Sequence, residues 1–293
     1  MALFMTLPSH AVDINSKLNQ LSKKQDYIIT DQAIDKETGE LFNWSVVFDG
    51  HGSDDCIRFI RNIPMDIMTD FIVSDRPIEN LAKYINDNVK LHVSSGSTMC
   101  LIKIYQNRIV CINCGDSQAA VYKNGNIEFI SKEHSFKNEK EKARLADNVT
   151  YIPSSDIAIR DENTLISVYS EYIEWDSDYY TKLACSQALG HNGITGCAPD
   201  TVVIPITPGD RFKVIVGSDG LWDMIIKSDE KDMVQLWGMD ADAIMKQTTD
   251  RWLQTWNMID ELKNSTIVHR SKYQPYQCDD IAVIVADIIP IIY

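Results

Sequence analysis

A chain of 293 residues, 44% of them hydrophobic, can bury a sizeable core in one large domain. Its formal net charge of −14 argues against nucleic acid or an anionic membrane as a partner, and no run of about 18 apolar residues offers a membrane span. Met1 to His10 lack the basic-then-apolar order of a secretory signal, and seven cysteines without paired spacing suit a reducing compartment; the expectation is a soluble, monomeric, cytoplasmic or nuclear protein with free thiols.

Residues 1 to 22 are mixed and carry little signal. The β-branched run Ile28-Ile29-Thr30 predicts a strand over Asp26 to Ala33, and Asp35 to Gly39 reads as a hairpin turn into a second strand ending at Asp49. Ile57, Ile60, Met68 and Phe71 recur at helical spacing, with Pro64 forcing a break between two helical pieces. Pro77 opens a further helix with the stripe Ile78, Leu81, Ile85 and Val89. From Met99 the pattern is an antiparallel meander with turns at Gln106-Asn107, Gly115-Asp116 and Asn124-Gly125. Cys111 and Cys114 form a Cys-x-x-Cys, but no second pair stands at zinc spacing, so it is not read as a metal site. Glu133 to Leu145 is helix-prone, and the acidic, tyrosine-rich segment to about Tyr180 reads as a surface excursion. Strands resume at Val202–Ile206 and Phe212–Val216. A long helix is expected between Asp242 and Asn264, with Met245, Thr249, Trp252, Trp256 and Ile259 on its apolar face, followed by a last strand over Ile281–Ile288. Clustered strands and helices predict an α+β fold of mainly antiparallel sheets.

Polar residues gather where strands end. Asp49 and Asp219 close apolar runs and precede glycines, whereas Asp26 and Asp279 open such runs. If these strands lie side by side, four carboxylates converge on one edge, and like charges that close call for cations. Oxygen ligands suit Mg²⁺ or Mn²⁺, and two such ions can share and activate a water for attack on phosphorus. His51, two residues after Asp49, is suited to protonating the leaving oxygen.

In order along the chain, Asp49-Gly50-His51-Gly52, Gly96-Ser97-Thr98, Asn113-Cys114-Gly115-Asp116-Ser117, Ala188-Leu189-Gly190, Ser218-Asp219-Gly220-Leu221-Trp222-Asp223 and Asp279-Asp280-Ile281 resemble the motifs of the metal-dependent protein phosphatases of the 2C type. The resemblance runs from about 25 to 287. It implies a single catalytic domain over 1–293, built as a four-layer α/β/β/α sandwich of two packed sheets flanked by helices, with a flap over about 147–180. It further implies removal of phosphate from phosphoserine and phosphothreonine in protein substrates. Two metals would be held by Asp26, Asp49, the backbone carbonyl of Gly50, Asp219 and Asp279, with a third, looser ion at Asp116 and Asp223; His51 would be the general acid.

The chain departs from the family pattern at several points. The family's phosphate-binding arginine falls near Leu21, leaving Lys23 and Lys24 as the nearest cations, and Gln25 replaces an acid. Gln118 and Gln187 stand where arginine is common, and Glu133 and His191 where aspartate is usual. These departures leave an alternative: a pseudophosphatase that keeps the fold as a scaffold or regulator.

Overall fold

The computed structural model describes residues 9–90, 94–145, 149–174, 182–263 and 268–291. Its strands and helices follow the chain from β1 (His10–Asn19), β2 (Asp26–Ile34) and β3 (Leu41–His51) into three helices, α1 (Asp55–Arg61), α2 (Met65–Val73) and α3 (Pro77–Asn88). Pro64 separates the first two helices as expected, and Ile78, Leu81 and Ile85 form the buried stripe of the third. The meander then runs through β4 (Gly96–Ser97), β5 (Met99–Ile104), β6 (Arg108–Cys114), β7 (Gln118–Lys123) and β8 (Asn126–Ile130). Asn124 and Gly125 both take positive φ, 50° and 88°, which a two-residue hairpin turn of matching twist requires. After α4 (Glu139–Leu145) come β9 (Thr150–Asp161), β10 (Thr164–Glu174), β11 (Lys182–Leu183), β12 (Leu189–Gly190), β13 (Asp200–Pro205) and β14 (Phe212–Gly217). The chain ends through α5 (Asp219–Trp222), α6 (Glu230–Gln235), α7 (Ala241–Trp252), β15 (Thr255–Ile259), β16 (Val268–Lys272) and β17 (Ile281–Pro290).

Two sheets pack face to face. One has the order β2-β3-β5-β6-β13, with β4 and β12 continuing beside the end of β3; the other has the order β1-β17-β14-β7-β8. Val47, Cys100 and Ile102 from the first meet Val121, Val214, Val216 and Ile284 from the second in a dry middle layer. The outer face of the first sheet, with Trp44, Val46, Phe48 and Leu101, is covered by α1, α2 and α3. Tyr122, Ile215, Val283 and Val285 on the outer face of the second are covered by α5, α6 and α7. The resulting α/β/β/α order is the expected four-layer sandwich, α+β with mainly antiparallel pairing. All seven cysteines are free; Cys111 faces the middle layer and Cys114 the helix-covered face, so the Cys-x-x-Cys does not form a pair.

Three expectations change. The N-terminal segment is not featureless: β1 pairs with all of β17, from His10 opposite Pro290 to Asn19 opposite Ile281. The surface excursion is a regular hairpin, β9 against β10, and it belongs to a third sheet with β11, β15 and β16. Of the segment assigned to a flap, residues 147–148 and 175–180 lie outside the described residues. The long helix expected to reach Asn264 stops at Trp252. Trp256 and Ile259 lie instead on β15, in a run of β-favouring residues, and the helix buries Ile244, Thr248 and Trp252 rather than Met245 and Thr249. Asn264 itself is outside the described residues. Among the described residues, no helix is long and apolar enough to cross a membrane.

Candidate active site

The expected strand ends meet at one edge of the sandwich. Antiparallel register in β2–β3 sets Asp26 opposite Asp49. From the second sheet, β14 runs through Ser218 into Asp219, the first residue of α5, while Asp279 and Asp280 lead into β17, its neighbour. Asp116 comes from the turn between β6 and β7. Carboxylate oxygens of Asp49, Asp116 and Asp219 lie within 4.8 Å of one another. Asp116, given only a looser role by resemblance, therefore stands in the tightest group.

The surrounding hydrogen bonds explain why these acids are held. Ser218 Oγ donates to Asp26 Oδ2 at 2.7 Å and accepts from the Ala282 N–H at 2.9 Å, tying the two sheets together across the cluster. Thr98 Oγ1 accepts from the Asp49 N–H at 3.3 Å and pairs with Ser117 Oγ at 2.6 Å, beside Asp116. Two tryptophans pin the Asp219 turn: Trp222 Nε1 donates to the Gln118 carbonyl at 3.0 Å, and Trp252 Nε1 to that of Gly220 at 2.7 Å. A Cβ at Gly220 would stand 2.0 Å from the Asp280 carbonyl oxygen, so the close approach demands glycine. Gly50 is held through its N–H to the Gln25 carbonyl at 3.1 Å.

Crowding dominates the electrostatics. Burial, followed by the charge of Asp219, pushes the carboxyl groups of Asp49, Asp116 and Asp223 above the usual carboxylate range. Burial and Asp279 do the same to Asp219. For Asp26 burial again leads, partly offset by the Ser218 hydroxyl. Lys23 enters this cluster, with Nζ at 3.1 and 3.2 Å from the two oxygens of Asp279. Burial alone would lower its pKa, but Asp279, Asp219 and Asp49 outweigh that and raise it. Oxygen-only donors at this spacing, carrying an excess of negative charge, fit a hard divalent cation.

His51 ends β3, and its Nε2 lies 2.8 Å from Nε2 of His191, the rings stacked with centroids 4.9 Å apart. Cys185 Sγ is 3.9 Å from the same His51 nitrogen. Gly96 makes this pairing possible, because a Cβ there would stand 2.1 Å from His191 Nε2 and 2.7 Å from His51 Nε2. Burial, then His191 and Lys23, hold the His51 pKa well below the usual imidazole value.

A cleft of about 240 Å³ opens beside the acids, lined by Asp116, Asp219, Asp223 and Asp279 on one side and by Asp156, Ser170, Glu171 and Tyr172 of the β9–β10 hairpin on another. The structure thus brings Asp26, Asp49, Asp116, Asp219, Asp223, Asp279 and Lys23 to one place. Lys24 is exposed with φ of 58°, and its carbonyl accepts from Arg61 Nη2. Leu21, near which the arginine was expected, packs against the core beneath α5 to α7. Sequence reasoning did not pick out Asp280, whose carboxylate accepts from the N–H groups of Ser22 and Gln25 at 3.0 and 2.8 Å, or the hairpin residues. The adjacent acids at 279 and 280 were the available signal for the first; the second had none.

Comparison with known proteins agrees with this architecture. The family model described as protein phosphatase 2C matches residues 25–254. Similar sequences include a probable protein phosphatase 2C 54 of Oryza sativa subsp. japonica, 27% identical over 232 residues that make up 76% of this chain and 58% of that protein. Protein phosphatase 2C homolog 2 of Saccharomyces cerevisiae is 24% identical over 229 residues, 74% of this chain and 47% of that protein. The chain thus spans about half the length of the curated relatives it matches. In fold it is similar to a serine-threonine phosphatase 2C from Toxoplasma gondii, with a TM-score of 0.59 at 16% identity, covering 97% of this chain and 96% of that one. It is also similar to the catalytic domain of the phosphatase PstP in complex with two manganese ions, with a TM-score of 0.53 at 13% identity over 96% of this chain and 99% of that one. The family match includes Asp26, Asp49, Asp116, Asp219 and Asp223, and the chain belongs to the protein phosphatase 2C family.

Proposed function

We propose that residues 1–293 form one catalytic domain that hydrolyses phosphoserine and phosphothreonine in proteins. In this reading Asp26, Asp49, Asp219, Asp279 and the carbonyl of Gly50 hold two Mg²⁺ or Mn²⁺ ions, and Asp116 and Asp223 take a third. The observation that carries it is the approach of Asp49, Asp116 and Asp219 within 4.8 Å, in surroundings that disfavour their charge. Acids so placed need a cation to remain ionised together. PstP, similar in fold, holds two manganese ions, which supports the same chemistry here.

Bound divalent ions would supply Lewis acidity, lowering the pKa of a water and screening the negative charge of a phosphoryl group. The protein's own part is placement. Strand register sets Asp26 against Asp49, the Ser218 hydroxyl orients Asp26, and Trp222 and Trp252 fix the Asp219 turn. His51 serves as general acid toward the serine or threonine oxygen. Because its Nε2 faces that of His191 at 2.8 Å, one ring donates and the other accepts, which couples the tautomers of the two rings. The β9–β10 hairpin acts as the flap; Asp156 on it favours basic residues around the phosphate, whereas Glu171 and Glu133 are paired with Lys142 and Lys227.

One observation favours a second reading, a pseudophosphatase: Lys23, the cation nearest the place expected for a phosphate-binding arginine, is engaged by Asp279, and Leu21 packs against the core. Initial rates on a phosphothreonine peptide with MnCl₂, and again with chelator, separate the two. Turnover that the chelator abolishes is expected. Metal-independent turnover overturns the metal reading, and no turnover with any divalent ion establishes the second one.

A further inference from the structure

The segment between β1 and β2 is short, yet it is held from several sides. Asp280, 2% exposed, accepts the Ser22 N–H on Oδ1 at 3.0 Å and the Gln25 N–H on Oδ2 at 2.8 Å, so one carboxylate fixes the backbone on both sides of Lys23. Arg61 Nη2 holds the carbonyls of Lys24 and Asp26 at 2.9 Å each, and Gln20 Nε2 holds that of Asp26 at 3.1 Å. The loop is therefore a mount. It delivers the Lys23 ammonium to both oxygens of Asp279, at 3.1 and 3.2 Å. Adjacent acids thus act on the same loop, Asp280 on its backbone and Asp279 on its cation.

Isolated ion pairs this exposed, with side chains 52% and 27% accessible, are usually weak. Here the ammonium also feels Asp219 and Asp49, so it offsets part of a charge excess rather than that of a single partner. A hard divalent cation would seek the same oxygens, and two cations a few ångströms apart repel.

We propose that Lys23 is a tethered counter-cation that competes with divalent metal for Asp279, so that metal binding on this side of the cluster requires the ammonium to withdraw. The proposal rests on the metal-dependent reading above. It concerns how tightly the metal binds, whereas that reading concerns whether metal binds and turns over substrate.

The test is isothermal titration of the full chain with MnCl₂ alone, paired with thermal melting of the metal-free protein. Lys23→Gln removes the competing charge and should bind Mn²⁺ roughly 10-fold more tightly at its weaker step, while lowering the melting temperature without metal. Lys23→Arg keeps the charge and should bind no more tightly than wild type. Lys23→Met repeats the charge removal without a polar group and should match Lys23→Gln. Unchanged or weaker Mn²⁺ binding in both neutral variants overturns the competition. Equal tightening by Lys23→Arg overturns it as well, because the effect would then lie in the shape of the side chain. If wild type and neutral variants all bind no Mn²⁺, the metal reading falls and takes this inference with it; wild-type binding without the tightening sinks the inference alone.

Discussion

The carboxylate floor of the cleft and its hairpin wall are built in different ways. The floor comes from strand ends of two sheets that share one large core, with Val47, Cys100, Val214, Val216 and Ile284 directly behind it. Its acids are placed by register, such as Asp26 opposite Asp49, and by single hydrogen bonds such as Ser218 to Asp26. The wall is the β9–β10 hairpin, anchored at its turn end by Leu165 and Ile159 on the core beneath α5 to α7 and at its other end by a much smaller cluster of Phe136, Leu145, Ile173, Leu183, Cys185 and Ala188, with Ile157 and Tyr169 exposed. Groups that share ions must be held to fractions of an ångström and belong on the rigid part, whereas a surface that meets varied substrates tolerates a separable piece.

Removing a floor carboxylate gives the largest expected effect. Asp49→Asn and Asp219→Asn should each abolish turnover on a phosphothreonine peptide and sharply weaken Mn²⁺ binding in calorimetry, because a neutral amide is a poor ligand for a hard cation. Circular dichroism should stay native, since the strands carrying these residues are held by the core behind them. Undiminished turnover in either variant would remove the two-metal reading.

His51→Gln tests the proposed proton donor and ranks next. Loss on the order of 10²–10⁴-fold is expected on the peptide, whose serine or threonine alkoxide leaves poorly without a proton. On p-nitrophenyl phosphate, whose phenolate leaves readily, the loss should be much smaller, with Mn²⁺ affinity nearly unchanged. Equal losses on both substrates would point to a packing role through the His191 contact instead.

The contrast between floor and wall also explains what could be read in advance. Each floor acid sits at a strand boundary, and Asp49 and Asp219 precede glycines, a local pattern visible without neighbours. The wall has no such pattern. The hairpin packs on Phe136 and Leu145 at one end and on the core beneath α5 to α7 at the other, and its own periodicity is blurred because one face meets the cleft rather than a core. β1 escaped notice for a subtler reason: Val12, Ile14 and Leu18 do alternate with Asp13, Asn15 and Lys17, but Ser16 interrupts the pattern and Leu18 is largely exposed. Trp252 and Trp256 stand at helical spacing, yet the helix ends between them, with Trp256 Nε1 donating to the Arg251 carbonyl. Partners that tertiary structure supplies, such as His191 for His51, carry no local signature of their role.

Phe136→Ala should loosen the wall while sparing the floor. Removing a fully buried phenylalanine costs about 3–5 kcal/mol where the surroundings cannot collapse, and this cost falls on the smaller cluster. Hydrogen exchange should therefore quicken in β9 and β10, and the Michaelis constant for peptide should rise, with β3 and β14 still protected and Mn²⁺ affinity retained. Loss of Mn²⁺ affinity in this variant would show that wall and floor are one unit.

The smallest effect concerns a buried charge that serves no chemistry. Lys103 lies on β5 of the same scaffold, 6% exposed, with Nζ 5.8 Å from the centroid of the Phe42 ring. Burial lowers its pKa from the ordinary 10.5 to about 8, with Asp35 opposing in part. Between these values the unfolded chain binds the proton and the native state does not, so stability gains from this group as pH rises from about 8 to 10.5. Below that window the full cost of burying the ammonium is present. Lys103→Met keeps most of the side-chain volume and removes the charge, so it should stabilise the fold by roughly 1–3 kcal/mol at pH 7. The advantage should shrink above pH 8 and vanish by about 10.5, while Mn²⁺ affinity and turnover remain at wild-type values. Urea melts of both proteins across that range measure the difference. A constant offset at every pH would mean that packing, not charge, separates them, whereas a loss of Mn²⁺ affinity would tie β5's buried charge to the floor after all.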